Sequence, residues 1–306
     1  MKVLFAGTPA VAVPSLDRLL EAGFEVVGVL TRPDAPLGRK RVLTPSPVAQ
    51  RAEELGLEVI KASRITPEVT DQIVATGADV GAIVAFGGLV PQSALDALEH
   101  GWINLHFSLL PAWRGAAPVQ HALINGDDVL GASTFQLEAG LDTGPVFGTM
   151  TETARPDDTS GVVLERLAVS GAVLLAQTLS AIAAGRAEAR PQEGTPTLAP
   201  KLTLEDGRLD WSQPALSLHR RARGVTPEPG AWTELDGQRF KIGSLALRPD
   251  VRDLAPGTLR LVGKSVVVGT GSHGLELLEV QPSGKRMMSA RDWARGLAAL
   301  EKVTFA

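Results

Sequence analysis

Apolar runs and amphipathic stretches alternate through the first half of the chain. Residues 2–6 form an apolar run closed by Gly7, and residues 13–20 carry apolar side chains at helical spacing, which predicts a strand, a turn and a helix. The same reading gives a strand over 24–30, a helix over 48–55, a short strand at 58–60, a helix over 69–75 and a strand over 79–85. A helix at 92–98, a strand at 103–107, a helix at 117–124, strands at 132–137 and 146–151 and a long apolar helix at 162–184 follow. Such alternation predicts an α/β unit, a doubly wound and mostly parallel sheet with right-handed crossovers, whose ligands bind beyond the carboxyl ends of the strands. The loops after Ala6, Leu30, Ala85 and His106 should then share one rim.

The pattern changes after residues 185–200, which are rich in Ala, Glu, Thr and Pro and read as a linker. A helix carrying Arg220, Arg221 and Arg223 precedes short strand-like runs at 231–234, 239–247, 257–262, 265–269 and 275–280, with a last helix at 290–297. Closely spaced short strands separated by Gly, Asp and Ser turns predict a smaller β-barrel, and five strands suit an oligonucleotide-binding (OB) fold. The expected division is a first domain at 1–188, a linker at 189–206 and a C-terminal domain at 207–306.

With 306 residues, 44% of them hydrophobic, the chain can bury two cores of ordinary size. No apolar run approaches the ~20 residues a membrane helix needs, and the N-terminus lacks signal-peptide character, so a cytoplasmic protein without membrane contact is expected. The absence of cysteine excludes disulfides and thiolate chemistry, and the five scattered histidines show no ligand spacing, so no metal is expected. Net charge is −4, but residues 195–306 carry 16 Lys and Arg against 12 Asp and Glu. A basic C-terminal third beside an acidic remainder can mark a module that faces nucleic acid.

The turn Gly7-Thr8-Pro9 lacks the later glycines of a dinucleotide fingerprint, and Pro9 removes a backbone donor, so a nicotinamide cofactor is not expected. No phosphate-binding Gly-x-x-x-x-Gly-Lys-Ser/Thr loop occurs either. Between the second strand and its helix, residues 31–47 form a connection far longer than the ~2–6 residues usual in this architecture. Prolines and Gly38 should keep it irregular, and Arg39, Lys40 and Arg41 make a basic tip that either is simply solvated or grips phosphates.

The richest stretch is residues 103–143. Asn104 and His106 lie two apart on a strand and so share a face, turns follow directly, and Asp142 arrives in a second, Gly-bounded turn. Histidine can act as acid or base near neutrality, aspartate can orient it or hold its charged form, and an Asn amide can donate to a developing oxyanion. No activated Ser or Cys nucleophile accompanies them. The set suits acyl transfer to an amine better than hydrolysis through a covalent intermediate. The plainer reading of His106 is a core histidine satisfied by the backbone.

Asn104-Leu-His106-Phe-Ser-Leu-Leu-Pro111 together with Leu141-Asp142-Thr-Gly resembles the signatures of the folate-dependent formyltransferases. Phe5-Ala-Gly-Thr-Pro9, the Arg39 loop ending at Pro47, Trp113-Arg-Gly-Ala-Ala-Pro118 and Ser283-Gly-Lys-Arg-Met-Met-Ser-Ala290 extend the resemblance nearly end to end, toward the branch that acts on methionyl-tRNA. The resemblance implies a Rossmann-like catalytic domain, an OB-like tRNA-binding domain, and formylation of methionyl initiator tRNA by 10-formyltetrahydrofolate, with a monomer expected. It implies Asn104, His106 and Asp142 as the catalytic trio and Ser108, Leu109, Leu110 and Pro111 as the folate-contacting loop. Phe86, Gly87 and Leu89, with Glu138, Gly140 and Leu141, would line the pterin and formyl pocket. Arg39, with Lys40 and Arg41, and Arg220, Arg221 and Arg223 would contact tRNA. Phe107 and Gly88 depart from the family's usual residues. The alternatives are a relative acting on a small amine, or an RNA-binding protein without activity.

Overall fold

The computed structural model describes residues 1–38 and 40–306. It divides into two compact units, Met1–Pro118, Val129–Thr153 and Leu164–Pro200 in the first, and Val119–Asp128, Ala154–Val163 and Lys201–Ala306 in the second. The first unit runs β1 (Lys2–Gly7), α1 (Val13–Glu21), β2 (Glu25–Thr31), β3 (Ala35–Leu37), β4 (Val42–Thr44), α2 (Pro47–Glu54), β5 (Val59–Lys61), α3 (Pro67–Ala75), β6 (Val80–Val84), α4 (Gln92–Leu95) and β7 (Trp102–His106). After α5 (Pro118–Asn125), most of which belongs to the second unit, come β8 (Val129–Gln136), β9 (Val146–Thr153) and α6 (Ser160–Ala183). Two of the helix starts are set by local chemistry. Ser46 and Thr66 accept from the N–H groups of Ala49 and Val69, and Pro47 and Pro67 stand at the first helical positions, where a missing N–H costs nothing.

Seven strands form one sheet in the order β5-β2-β1-β6-β7-β8-β9. Strands β5, β2, β1, β6 and β7 run parallel and β8 and β9 antiparallel, so the sheet is mostly parallel as expected. The order reverses at β1, which has β2 on one side and β6 on the other, and this opens a crevice beyond the carboxyl ends of β1 and β6. Thr8 Oγ1 donates to Phe86 O at 2.9 Å across that crevice. His106 ends the next strand on the same rim, which is where the chemistry should lie.

Strand β6 is buried throughout, and its glycine has a steric cause. Gly81 pairs with Trp102, and a Cβ at Gly81 would stand 2.2 Å from the indole ring. The indole is fully buried and its Nε1 donates to Ala94 O at 2.7 Å, so the ring cannot easily yield.

Two expectations for the first unit need correction. The connection 31–47 is not irregular, because β3 and β4 pair as a hairpin within it, with Leu37 opposite Val42; Arg39 lies outside the described residues. The expectation of no membrane-length apolar run also fails, since α6 has 24 residues and is long and apolar enough by composition to cross a membrane. Half of its apolar window is buried inside the structure. Thr178 Oγ1 lies 2.8 Å from Thr134 Oγ1 of β8, and Gly171 abuts Leu105 of β7, so α6 packs on the sheet as a core helix.

The second unit contains α7 (Ala215–Gly224), β10 (Ala231–Leu235), β11 (Gln238–Ile242), β12 (Leu245–Arg248), β13 (Leu259–Val262), β14 (Ser265–Val268), β15 (Gly274–Leu277), β16 (Glu279–Gln281), β17 (Met288–Ser289) and α8 (Ala290–Arg295). The strands are antiparallel and form two four-stranded sheets, β10-β11-β16-β17 and β12-β15-β14-β13. The runs 239–247 and 275–280, each expected as one strand, are each two. Gly243 N–H donates to Glu279 O at 2.8 Å and Leu278 N–H to Ser244 O at 3.0 Å, so both chains turn from one sheet into the other at the same place. The turn wraps the strands around Trp211, Phe240, Trp293 and Phe305, whose rings lie 4.8–6.1 Å apart along the cluster.

Because the Trp102 ring fills the space above Gly81, Gly81→Ala should destabilise the first unit by about 1–3 kcal/mol through overpacking. Urea unfolding followed by tryptophan fluorescence reads this as a lower midpoint. An unchanged midpoint would show that the indole can shift at no cost.

Candidate active site

Pairing of β7 with β6 and β8 places Ile83 and Phe135 beside Asn104, and Ser133 beside His106. Asn104 and His106 share the face predicted for them, but the sheet is covered there and His106 is only 7% exposed. Asp142 is 9% exposed and reaches the imidazole from the loop between β8 and β9, with its Oδ2 3.8 Å from His106 Nδ1. The sequence-predicted trio thus includes a true imidazole–carboxylate pair. Asn104 is half-buried, and its carboxamide makes no hydrogen bond to another described residue.

The backbone of residues 113–115 holds both members of the pair. His106 Nε2 lies 2.9 Å from Trp113 O, and since a carbonyl only accepts, the ring carries its proton on Nε2 and leaves the Nδ1 lone pair toward Asp142. Gly115 N–H donates to Asp142 Oδ2 at 2.7 Å. Gly115 has φ of +125°, and a Cβ there would stand 2.6 Å from Ala199 O, so no other residue fits. Trp113 (φ +60°) and Asp142 (φ +50°) also sit in the left-handed region, which non-glycine residues occupy only when their surroundings hold them.

Burial pushes the His106 pKa below its ordinary 6.5, against the smaller opposing pulls of the Asp142 carboxylate and the Trp113 carbonyl. The resting imidazole is therefore neutral at pH 7. His106 is thus satisfied by the backbone at Nε2, as the plainer reading expected, while its Nδ1 faces the Asp142 carboxyl group.

The remaining predicted positions are distributed as follows. Ser108 is buried and its Oγ donates to Ala112 O at 2.6 Å, while Leu110 N–H donates to Ser133 Oγ at 3.2 Å and Ser133 Oγ to Ser108 O at 2.7 Å. These bonds shape the turn through Leu109, Leu110 and Pro111, whose Leu110–Pro111 peptide is cis. Leu110 also lines a cavity of about 670 Å³ between β9, α6 and residues 186–193, and none of the trio lines that cavity. Phe86 is 2% exposed, and Arg32 Nη1 donates to Gly87 O at 3.0 Å, which anchors the turn after β6. Gly88 has its reason in the same turn, since a Cβ there would meet the Phe86 ring at 2.7 Å.

Leu89 and Leu141 are 90% and 58% exposed, and Glu138 and Gly140 are exposed as well. Exposed apolar side chains around a rim that carries an uncommitted amide fit a flat, partly apolar ligand such as a folate. Among the described residues no group of three or more His, Asp or Glu is placed to hold a metal.

Lys40 and Arg41 are exposed at the hairpin tip; the Arg39 position lies outside the described residues. In the second unit Arg220 donates to Asn125 O at 3.4 Å, Arg221 to Asp206 O at 3.0 Å, and Arg223 to Arg155 O and Asp158 O, both at 3.3 Å. Each of these arginines therefore spends one nitrogen inside the protein. Sequence reasoning missed Gln192, which bonds the Asp142 and Gly144 carbonyls from within the stretch read as linker. Nothing local marks it, because its partners lie 48 and 50 residues earlier.

Residues 1–179 match the family model described as formyl transferase, and residues 201–298 match the model described as formyl transferase, C-terminal domain. The methionyl-tRNA formyltransferase of Paenarthrobacter aurescens (strain TC1) is 70% identical over 305 residues, covering 100% of both chains. That of Streptomyces coelicolor is 56% identical and covers 98% of both. Among solved structures, an N-formyltransferase from Helicobacter canadensis in complex with folinic acid and dTDP-3-aminofucose superposes with a TM-score of 0.69 at 16% identity, covering 90% of this chain and 98% of that one. A methionyl-tRNA formyltransferase from Clostridium thermocellum gives 0.57 at 13% identity, covering 81% and 94%. At those identities the structural likeness speaks to the fold. The full-length relatives go further: the chain belongs to the formyl transferase family, and within it to the methionyl-tRNA formyltransferases.

Proposed function

We propose that this chain transfers a formyl group from 10-formyltetrahydrofolate to the free α-amino group of methionyl initiator tRNA, for translation initiation, acting as a cytoplasmic monomer. The observation that carries the reading is the buried His106–Asp142 pair beside an uncommitted Asn104 amide, in a chain 70% identical end to end to a methionyl-tRNA formyltransferase. A formyltransferase acting on an amino sugar shares the fold, but the full-length tRNA-named relatives favour the tRNA reading. Residues 1–188 would carry the chemistry, 189–206 join the domains and 207–306 bind tRNA.

The folate supplies an activated formyl group when bound, and Ser108 to Pro111, Phe86, Gly87, Leu89, Glu138, Gly140 and Leu141 would surround it. Asn104 donates its amide N–H to an acyl oxygen that gains charge as the amine attacks. Net transfer exchanges a formyl group and a proton between two nitrogens, so a group that takes a proton and returns it closes the balance. His106 does this through Nδ1. A proton there faces Asp142, whose carboxylate stabilises the imidazolium against the burial that otherwise disfavours it. Asp142 thus acts during turnover and does not keep the resting histidine charged. Arg39, Lys40 and Arg41 would grip tRNA phosphates, as would the remaining N–H groups of Arg220, Arg221 and Arg223.

Asn104→Ala should lower kcat by about 10²–10³-fold, the cost of one lost donor to a developing oxyanion. Formylation of methionyl initiator tRNA with both substrates saturating measures it, and near-wild-type turnover would sink the assignment. Methionyl elongator tRNA should be a poor substrate in the same assay.

The pH dependence of kcat/KM should show an acidic limb below pH 6.5, because activity needs neutral His106 and burial lowers its pKa. Asp142→Asn removes the group that raises this pKa and should move the limb to still lower pH. A limb at or above 6.5 in the parent enzyme would show that a protonated histidine is not what limits it.

Arg39→Ala should raise KM for methionyl-tRNA and flatten its dependence on salt, while the affinity for a folate analogue stays unchanged. Equal losses in both substrates would place Arg39 in the pocket instead.

A further inference from the structure

Between the two family-model matches, which end at residue 179 and resume at residue 201, lies a segment with an unusual density of bonds to the catalytic loops. Arg190 exchanges N–H and C=O bonds with Val146 of β9 at 2.7 and 2.9 Å. Further along, Thr197 Oγ1 accepts from Trp113 N–H at 2.8 Å, Thr197 O from Arg114 N–H at 2.9 Å, and Ala199 N–H donates to Arg114 O at 2.7 Å. The segment is pinned at both ends to the first unit, and Gln192 stands between the pins.

Gln192 uses its whole hydrogen-bonding capacity. Its Nε2 donates to Asp142 O at 2.7 Å and to Gly144 O at 2.9 Å. Its Oε1 accepts from Arg114 Nε at 3.1 Å and Arg114 Nη2 at 2.6 Å. The orientation of the amide follows from its partners, since a guanidinium only donates and carbonyls only accept. One side chain therefore couples the two loops that hold the imidazole and the carboxylate. Arg114 lies between Trp113, whose carbonyl accepts from His106 Nε2–H, and Gly115, whose N–H donates to Asp142 Oδ2. On the opposite side Gln192 grips the backbone of Asp142 itself. Both Trp113 and Asp142 hold positive φ, so each loop has a reason to relax if released.

We infer that Gln192, together with Arg114, is a positioning residue that sets the separation and orientation of the His106–Asp142 pair. This inference rests on the catalytic reading of that pair given above. Gln192 touches neither reacting side chain, so it acts only through the two loops. A clip of this kind controls the rate through geometry, because a misplacement of about 1 Å in a catalytic group can cost about 10²-fold.

Two substitutions separate positioning from stability. Gln192→Ala removes all four bonds. Gln192→Glu keeps the acceptor for Arg114 and strengthens it with charge, but it turns a carboxylate toward the two carbonyls in place of their donor. Both variants should lose about 10–100-fold in kcat for formylation of methionyl initiator tRNA. KM for tRNA should stay within about twofold in each, because Gln192 bonds none of the residues assigned to tRNA.

The His106 imidazole, followed by NMR titration of the free protein, should titrate at lower pH in both variants, because the carboxylate that raises its pKa is no longer held at the ring. Thermal unfolding of both variants sets a temperature at which each is fully folded, and kcat and the titration are read there. A merely structural clip would lower the midpoint and leave kcat and the titration where they were, and either variant with parental kcat and parental titration overturns the inference. If the parent protein fails to formylate methionyl-tRNA while the titration still moves in the variants, the functional reading falls and the positioning stands.

Discussion

A carboxyl group and a neutral imidazole, held 3.8 Å apart where almost no water reaches, constrain much of the first unit. A buried carboxylate needs donors, and Asp142 finds one in Gly115 N–H. A buried imidazole needs its ring N–H satisfied, and His106 finds Trp113 O. Both needs are met by the same three-residue stretch, and meeting them demands left-handed backbone at Trp113 and a residue without a side chain at Gly115. The segment around Gln192 and Ala199 then closes over that stretch from outside. A pair buried without this support would leave an unsatisfied group costing several kcal/mol.

The pair's location follows from sheet topology. Strand order reverses at β1, so the crevice opens beside β1 and β6, and β7 delivers His106 to the same rim. Two antiparallel strands extend the sheet beyond β7, and the loop between them returns Asp142 to the imidazole. The antiparallel extension is what allows a residue 36 positions later in sequence to meet His106 without a crossover helix between them. Burial has a chemical consequence too. It lowers the histidine's pKa more than the neighbouring Asp142 carboxyl group raises it.

Hydrophobic periodicity identified most elements of the sheet, because each parallel strand is a short apolar run bounded by turn residues and each helix repeats at 3.6. It merged β11 with β12 and β15 with β16, since a strand that bends from one sheet to the next keeps its alternation while losing its partner. It also left the β3–β4 hairpin unseen, as three-residue strands with exposed side chains carry no periodic signal. The aromatic cluster of the second unit draws Trp211, Phe240, Trp293 and Phe305 from four separated places, and no local pattern joins them.

By itself the sequence determined the chemistry available. Asn104 and His106 share a strand face because side chains alternate, and Asp142 sits in a turn because Gly140 and Gly144 flank it. It also carried the family, since motifs in fixed order are local strings. The tertiary structure alone decided the state of that chemistry. Whether His106 is neutral depends on how much water reaches it, which nitrogen faces Asp142 depends on the Trp113 carbonyl, and the Asp142 carbonyl accepts from Gln192, which is 50 residues away along the chain. Desolvation and hydrogen-bond partnership are properties of proximity in space, and separation along the chain does not encode them.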